Sequence, residues 1–340
     1  MSAFDEAWRI DESAFPAGGD SAEQLRFALQ YAVLAPSGHN TQPWLFRVSA
    51  DTVDVYADRR RALPVVDPED RELTMSCGAA AETLVVALQH FGLGARVAAF
   101  PEEGEGDLVA RVSLSGESAD PAAVDGLFQA IAERRTVRRQ YEDRPVPDAL
   151  LNRMSAAANE LAVSFDAFTD EPTRTAISGL VAEGDRIQFA NRSFRRELAA
   201  WIHSRRADSR DGISGAAFGM PDLLSPVGAA VVRTFDMGNK VAEQDREIAA
   251  GAPALGLLST AGDDGPSWLN TGRALARVLL SATAEGVRSS YLNQPIETPE
   301  LRTRLASVSG VQRVPQLLLR FGYGPVTDPA VRRPVSEVLL

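Results

Sequence analysis

The sequence predicts an α+β fold that is built from two tandem halves, the second of which carries a long insertion. Three observations predict it: a long apolar helix occurs twice, a loop with a central asparagine occurs twice, and each copy closes with an apolar strand. The order helix, loop, strand, buried helix, strand is therefore repeated, which is the pattern of an internally duplicated protein.

The long helix is the clearest repeat, because residues 74–92 align without a gap with residues 268–286. The matched positions include two pairs of glycines that share a spacing of 194 residues: Gly78 with Gly272, and Gly92 with Gly286. Both segments contain no proline and end at a glycine suited to a helix C-cap. They are apolar on nearly all faces, which is typical of buried helices. Two unrelated core helices of similar composition are the alternative interpretation.

The loop repeat favours duplication. Residues 36–46 read Pro-Ser-Gly-His-Asn-Thr-Gln-Pro-Trp-Leu-Phe and follow a short apolar helix at 25–34, while residues 155–165 follow a helix that opens near Pro147. Two matched pairs share a spacing of 119 residues: Asn40 with Asn159, and Phe46 with Phe165. Alternating stretches after the loops predict matching strands at 53–56 and 163–168, and apolar stretches predict closing strands at 108–114 and 316–321.

The domain boundaries follow from these repeats. The spacing grows from 119 to 194 residues, so the second half carries additional chain between its strand and its long helix. We expect a lead segment at 1–20, a first half at 21–115, a linker at 115–120, and a second half at 121–340 with an insertion at about 185–255. Long irregular segments inside compact domains are usually functional lids or disordered. The apolar content of residues 211–224 favours a lid.

Composition argues against several classes of protein. The single cysteine, Cys77, excludes an internal disulfide and a multi-thiolate metal site, and the histidine spacing predicts no metal site. No apolar run approaches the length of a membrane span, and the acidic start lacks the features of a signal peptide, so we expect a cytoplasmic protein. A net charge of −11 argues against binding to nucleic acid or to an anionic membrane. An anionic ligand would therefore need a local basic cluster.

Several common catalytic motifs are absent from the sequence. There is no Walker A loop and no GxGxxG motif after a strand. The sequence also lacks a GxSxG elbow, and no paired carboxylates stand out as an acid–base couple. These absences disfavour a hydrolase or a P-loop protein.

A basic cluster occurs in the run Arg134-Arg135-Thr136-Val137-Arg138-Arg139, at the end of a helix that we expect to start near Pro121. Arginine forks match phosphate oxygens bidentately, and Thr136 adds a hydroxyl beside them. The alternative is a solvated helix end, where basic side chains favour the C-terminal dipole.

Three further segments are candidates for ligand contact. The loop at 36–44 is stiffened by prolines and would present short polar groups along a fixed path, which suits a planar heterocycle; a structural turn is the alternative. A polar turn follows the second long helix, and two arginines follow the stretch Phe-Gly-Tyr-Gly-Pro at 321–325. The candidate side chains are Pro36, Ser37, Asn40 and Gln42 in the loop, Ser290, Leu292, Asn293 and Gln294 in the turn, and Arg332 and Arg333 near the C terminus.

Together these motifs resemble the flavin-contacting motifs of the nitroreductase family. The motifs are Pro-Ser-x-x-Asn-x-Gln-Pro-Trp-x-Phe, Arg-Arg-Thr-x-Arg, and Gly-Tyr-Gly-Pro before Arg-Arg-Pro. The resemblance covers nearly the whole chain from about residue 20, and the fused arrangement with an insertion is similar to the actinobacterial Acg-type branch. Members of the family bind FMN between the subunits of an α+β homodimer. The resemblance therefore implies a nitroreductase-like fold in which the two halves form an intramolecular pseudo-dimer that holds one FMN.

The resemblance also implies roles for the candidate residues. Arg134, Thr136 and Arg138 would lie at the ribityl phosphate, together with Arg332 or Arg333, and Arg135 would reach the pyrimidine edge of the ring. Pro36, Ser37 and Asn40 would lie against the isoalloxazine from the first half. The turn Leu292-Asn293-Gln294 departs from the Ile-Glu-Gly-like stretch common in the family. The two long helices would form the interface of the pseudo-dimer.

The implied function is an oxidoreductase that takes hydride from NAD(P)H and passes it to a nitroaromatic, quinone or similar small acceptor. The flavin carries this chemistry, so no catalytic side chain and no metal are expected. The alternative is an FMN-sequestering or storage protein whose lid closes the substrate face; a partner-binding pseudoenzyme has less support. Because one chain holds both halves of the site, we expect a monomer.

Overall fold

The computed structural model describes residues 7–204, 209–215 and 222–340. The first half begins with helix α1 and contains a four-stranded sheet and the long helix α2. Its elements are α1 (Ser21–Ala32), β1 (Trp44–Ser49), β2 (Thr52–Ala57), α2 (Arg71–His90), β3 (Leu93–Ala99) and β4 (Leu108–Ser118).

The second half has the same plan with an insertion of helices. Its elements are α3 (Asp125–Glu133), α4 (Asp148–Asn159), β5 (Ser164–Phe168), α5 (Glu171–Ala190), α6 (Arg192–Ala200), β6 (Ile202–His203), β7 (Ile213–Ser214), α7 (Ser225–Thr234), α8 (Gly238–Ala250), β8 (Ala254–Thr260), α9 (Gly265–Ala284), β9 (Arg288–Tyr291), α10 (Pro299–Ser309), β10 (Val314–Gly322) and α11 (Val335–Val338).

The two main sheets have the same strand order. The first is β1-β2-β4-β3 and the second is β5-β8-β10-β9, and neighbouring strands in both are antiparallel. The predicted α+β fold of two tandem halves is therefore confirmed. The predicted closing strands occupy equivalent positions, since 108–114 lies in β4 and 316–321 lies in β10.

One strand equivalence predicted from the sequence is wrong. Residues 53–56 lie in β2, whose counterpart in the second sheet is β8; the counterpart of β5 is β1. In the first half β1 and β2 form a hairpin, with Ser49 paired to Thr52. In the second half the same connection holds the inserted helices α5 to α8. The insertion separates the two strands, so an ungapped comparison matched β5 with the wrong strand of the hairpin.

The two long helices, α2 and α9, pack directly against each other. Gly78 and Gly272 lie at the crossing, where a Cβ on either would come closer than 3.0 Å to the backbone oxygen of Leu269 or Met75, respectively. Buried side chains of both helices join the cores of the two halves. The helices form the interface of the pseudo-dimer, and glycine at the crossing lets their backbones approach closely.

The glycines that follow the two helices have the backbone conformation expected of C-caps. Gly92 has φ +79° and Gly286 has φ +72°, which a residue with a side chain adopts only with strain. Both helices therefore end where the sequence predicts.

The insertion lies against the first half. Phe189, Phe194 and Leu198 on α5 and α6 share an apolar cluster with Leu63 and Val66, which precede α2. Of the segment predicted to be a lid, residues 216–221 lie outside the described residues. None of the described helices combines the length and the apolar character that crossing a membrane requires.

Candidate functional site

The loop before β1 has an unusual backbone. His39, Asn40 and Gln42 have φ of 47°, 55° and 52°, in the left-handed region that non-glycine residues rarely adopt. Such conformations cost about 1–3 kcal/mol each and occur mainly at functional sites that the surrounding structure holds in place. Neighbouring groups must therefore stabilise the strained conformation of this loop.

Asn40 is held on both sides by hydrogen bonds. Its amide nitrogen donates to the carbonyls of Gly212 (3.0 Å) and Val331 (3.1 Å), and its Oδ1 accepts a hydrogen bond from Arg332 (2.7 Å). The predicted loop and the predicted C-terminal arginine are thus brought together. Gly212 belongs to the insertion, so the insertion also contacts the loop at this point.

The polar groups of Gln42 and Ser37 also form hydrogen bonds within the protein. The Gln42 Oε1 accepts from the backbone nitrogen of Arg333 (2.8 Å), and its Nε2 donates to the Arg210 carbonyl (2.8 Å). Ser37 Oγ accepts from the Gln42 backbone nitrogen (2.9 Å). These side chains shape the loop, while Pro36 lines a small cavity together with Arg134.

The arginine run is not the end of a helix, because α3 stops at Glu133. The 121–123 stretch forms only a short 3-10 turn before α3 begins at Asp125. The residues after Glu133 leave the helix and run beside β9, where Thr136 pairs with Ser289 and the Val137 nitrogen donates to the Ser289 carbonyl (3.0 Å). This pairing places the arginines next to the predicted polar turn.

The run brings buried positive charge to the junction of the two halves, where Arg134 lines the small cavity between them; we refer to this junction as the cleft. Arg134 is 5% exposed and Arg332 is 4% exposed. Within the described residues, the Arg134 guanidinium has no carboxylate partner and makes no hydrogen bond. Burial lowers the pKa of Arg332 well below its usual value, and the charges of Arg134 and Arg135 lower it further. Buried guanidinium groups that repel one another form a site that an anion would stabilise.

Arg135 lies beside Trp8 of the lead segment. Its guanidinium covers the ring of Trp8 at 4.5 Å and donates to the Ala132 carbonyl (2.8 Å). Burial lowers its pKa to about 10, and the charges of Arg134 and Arg288 contribute. Trp8 also lies 5.3 Å from the guanidinium carbon of Arg332. Trp8 thus covers the two arginines, a contact that no sequence signal indicated.

Two further residues of the site were missed. Arg320 on β10 is 1% exposed and donates to the carbonyls of Val137 (2.9 Å) and Arg139 (3.0 Å), so it holds the arginine run in place. A single arginine inside the apolar stretch Leu-Leu-Leu-Arg-Phe was a signal that could have identified it. His39 lies near Arg138, and burial followed by the Arg138 charge lowers the His39 pKa to about 4.

The segment at 286–294, predicted to be a polar turn, contains the strand β9 and the residues after it, and it joins both halves. The Asn293 amide nitrogen donates to Glu72 of α2 (3.1 Å), and its Oδ1 accepts from the Leu318 nitrogen (3.0 Å). Burial raises the pKa of Glu72 to about 7, against the charge of Arg71. The Ser290 hydroxyl accepts from Arg320 Nε (3.3 Å). Asn293 and Ser290 therefore lie at the junction of the two halves.

Gln294 contacts the insertion, whereas Leu292 does not line the cleft. The Gln294 amide nitrogen donates to Asp185 (3.1 Å) and to Asp245 (3.0 Å), and α5 comes close enough because residue 184 is a glycine. Leu292 is buried in the apolar core of the second half. Leu292 was predicted to contact the flavin, but its side chain packs in that core.

The fold and the site together define a class of protein, namely an α+β pseudo-dimer with a cationic cleft between its halves. The Nitroreductase family model matches residues 131–323, and a relative 33% identical covers nearly the whole chain. The chain belongs to the nitroreductase family.

Several relatives are similar over almost their full length. Rv3131 of Mycobacterium tuberculosis, named as an NAD(P)H nitroreductase, is 33% identical over 94% of this chain and 91% of its own length. Acg of the same organism is 29% identical over 94% of this chain and 96% of its own. PigM of Serratia is 26% identical over 94% of each chain. The Acg-type resemblance is therefore confirmed.

Solved structures give more distant matches. NfnB of Sphingopyxis, described as an FMN- and NADPH-dependent nitroreductase, matches 62% of this chain and 96% of its own, with 22% identity and a TM-score of 0.42. NfnB of Mycobacterium smegmatis, solved with NADPH, matches 63% of this chain and 97% of its own, with 17% identity and a TM-score of 0.41.

Proposed function

We propose that this chain binds one FMN between its halves and acts as an oxidoreductase. It would take hydride from NAD(P)H and pass it to a nitroaromatic, a quinone or a similar small acceptor. Membership of the nitroreductase family supports the proposal, as do relatives named as NAD(P)H nitroreductases. The observation that carries it is the cationic cleft, whose buried arginines come from opposite ends of the second half and meet the loop of the first.

The residues present fit a flavin phosphate. Arg134 is buried without an internal partner among the described residues, and the Nε atom of Arg332 is buried without a hydrogen bond. A phosphate would supply the missing negative charge and several acceptor oxygens. We propose that Arg134 and Arg332 hold the phosphate, with Thr136 and Arg138 beside it. Arg333 donates to the Gln42 carbonyl (3.2 Å) and would act mainly by supporting the loop.

The loop residues would position rather than clamp the ring. The polar groups of Ser37, Asn40 and Gln42 already bond to the protein, so they keep the strained backbone in place. We propose that this backbone and Pro36 lie along the isoalloxazine. Ser290, Asn293 and Gln294 would border the same cleft from the second half.

Bound FMN would supply the transfer of hydride, and the chain would supply binding, access and electrostatics. The buried arginines make the cleft electropositive, which favours an anionic ligand. The neutral imidazole of His39 adds a polar group without adding charge, because its pKa is lowered to about 4. The insertion decides how much of the cleft an acceptor can reach.

Sequestration of FMN is the second candidate, and the docking of the insertion favours it. Asp211 of the insertion forms an ion pair with Arg61 of the first half at 2.6 Å. Glu197 of α6 accepts from the backbone nitrogens of Val65 (2.9 Å) and Val66 (3.0 Å). An insertion anchored in this way would restrict entry of NAD(P)H and would slow the release of FMN.

Anaerobic reduction distinguishes the two functions. The purified protein should be yellow or should take up added FMN, and its flavin absorption should be followed after addition of NADH or NADPH. Rapid bleaching supports the oxidoreductase and rules out sequestration. Absence of bleaching in a flavin that light still reduces supports sequestration. A colourless protein that does not bind FMN overturns both.

The division of the chain is also a proposal. A lead segment at 1–20, halves at 21–115 and 121–340, and an insertion at about 185–255 would be the functional units. Because one chain supplies both sides of the cleft, we propose that the protein works as a monomer. Size-exclusion chromatography with light scattering would test this.

A further inference from the structure

Tyr291 ends β9, directly before the polar turn of the cleft. Its hydroxyl oxygen is buried, and within residues 7–204, 209–215 and 222–340 it has no hydrogen-bond partner. A buried hydroxyl without a partner costs about 1–3 kcal/mol, and most buried polar groups are therefore paired. A ligand that pairs with the hydroxyl would remove this cost.

The surroundings of the hydroxyl identify the charge of such a ligand. The charged groups that act most strongly on Tyr291 are Arg134, Glu72, Arg138 and Arg332, in that order. Three of these are the cations assigned above to the phosphate region. Arg134 has no partner of its own among the described residues. The hydroxyl thus lies where an anion would meet the arginines.

Tyr291 would act as a neutral donor in this position. Burial raises its pKa to about 12; Arg134 lowers it, Glu72 raises it, and Arg138 and Arg332 lower it. The hydroxyl therefore keeps its proton at physiological pH and can donate a hydrogen bond. A phosphate has more acceptor sites than two guanidinium forks occupy, so a neutral donor can add to them without adding charge.

We propose that Tyr291 is a further ligand-binding residue, whose hydroxyl donates a hydrogen bond to a phosphate oxygen of FMN. The inference rests on the proposed binding of FMN and adds the last residue of β9 to the phosphate site. It also separates the roles of two neighbouring residues. The charges of the cations act on the Tyr291 hydroxyl, although its ring packs against the apolar core, whereas Leu292 is buried wholly in the core.

The variant Tyr291→Phe tests this inference, because it removes one oxygen atom and keeps the ring. Dissociation constants for FMN and riboflavin are measured on the full chain, stripped of flavin, from the quenching of flavin fluorescence. We expect FMN to bind about tenfold more weakly, as for loss of a hydrogen bond to a charged group. Riboflavin, which lacks the phosphate, should bind with the same affinity as to the wild type.

Tyr56→Phe is the matched control, because the Tyr56 hydroxyl lies on the surface, where it accepts a hydrogen bond from Arg47 (2.9 Å). Unchanged binding of FMN to Tyr291→Phe overturns the inference and leaves the proposed function standing, provided the wild type binds FMN. An equal loss of affinity for FMN and riboflavin also overturns it, since the hydroxyl would then contact another part of the flavin. A wild type that binds neither compound overturns the proposed function itself.

Stability of the flavin-free variant provides a second readout. A hydroxyl without an internal partner does not stabilise the fold, so Tyr291→Phe should unfold at the same or a higher urea concentration than the wild type. A clearly lower midpoint, or failure to fold, would show that the hydroxyl serves the protein itself. That result would overturn the inference as well.

Discussion

Gly78 on α2 and Gly272 on α9 occupy reciprocal positions at one helix crossing. A Cβ on Gly78 would meet the Leu269 carbonyl oxygen, and a Cβ on Gly272 would meet that of Met75. Met75 and Leu269 are themselves separated by the 194 residues that separate the two glycines. The contact is thus the same in both directions, as at the two-fold interface of a homodimer. One chain has kept the symmetric packing of two subunits.

Alanine at this crossing should therefore be costly. In Gly78→Ala or Gly272→Ala the new methyl group would meet backbone atoms, which cannot move aside as a side chain can. We expect each variant to lose about 3 kcal/mol or more in urea unfolding, the upper range for overpacking. Gly179→Ala on α5 is the control, since nothing lies within 4 Å of its Cβ position. The control should be neutral or slightly stabilising, and equal behaviour of all three variants would contradict the prediction.

Glu82 should stabilise the same interface. Its carboxylate is fully buried and pairs with Arg273 (2.8 Å) and Arg277 (2.6 Å) across the two helices. Glu82→Gln would leave Arg273 without its counter-ion and Arg277 with only the exposed Glu160 (3.1 Å), and we expect a loss of about 2–4 kcal/mol by urea unfolding. The exposed pair of Glu117 with Arg96 (3.4 Å) provides the control. Glu117→Gln should change stability by less than about 1 kcal/mol; a similar small effect for Glu82→Gln would show that the interface does not depend on the pair.

Removal of a predicted phosphate contact should weaken flavin binding. Arg134→Ala deletes a buried cation that has no internal partner among the described residues. We expect the FMN dissociation constant to rise by about tenfold to a hundredfold, the range for a charge-assisted hydrogen bond. Arg138→Ala should act in the same direction. Arg153→Ala is the control, because Arg153 is exposed and pairs with Glu285 on the surface (2.6 Å). Unchanged flavin occupancy in Arg134→Ala would show that the phosphate lies elsewhere.

Asp185 should make stability depend on pH. Burial raises its pKa from 3.8 to about 8, and the charge of Asp245 adds to this, against the hydrogen bond from Gln294 and the charge of Arg186. The folded protein therefore holds this proton more tightly than the unfolded chain. The contribution of Asp185 is fully present below about pH 4 and is lost as the pH rises toward 8.

Asp185→Asn should remove this dependence. Between pH 5 and pH 8 the free energy of unfolding of the wild type should fall, relative to the variant, by up to about 1.4 kcal/mol per pH unit. Urea unfolding at several pH values measures the difference in slope. Parallel slopes for wild type and Asp185→Asn would show that this carboxyl ionises normally in the folded protein.

The anchoring of the insertion should control exchange of the ligand. Asp211→Asn weakens the ion pair with Arg61, whose guanidinium also donates to the Thr41 carbonyl (2.9 Å). We expect FMN to dissociate several times faster, as measured by fluorescence after dilution. Glu243→Gln removes an exposed pair within α8 and should have no effect. An unchanged dissociation rate in Asp211→Asn would indicate that the insertion does not cover the flavin.

Much of the fold was predictable because packing leaves local marks in the sequence. The all-round apolar character of α2 and α9 reflects burial between two cores, and the C-cap glycines reflect a local backbone requirement. The correspondence between the strands of the two halves was harder to predict from the sequence. The insertion lies between β5 and β8, and a comparison of sequence patterns cannot show which strand of a hairpin has been displaced.

The sequence predicted which segments form the candidate site, but it did not predict the contacts between them. The loop with Asn40 and the arginine run with Arg134 were identified from residue type and spacing. The contacts made by Trp8, Arg320 and His39 were not, because each depends on residues distant in the chain. Leu292 was assigned to the cleft, but its side chain is buried in the core of the second half.

The sequence by itself determined the duplication, the buried pair of long helices and the split of motifs between the halves. These properties depend on local periodicity and on residue types, which a sequence displays directly. The tertiary structure alone decided the reciprocal packing of Gly78 against Leu269 and of Gly272 against Met75, and the direction in which each polar side chain points. Long-range packing sets these relationships, because close approach of backbones and burial of charge arise only when distant segments meet.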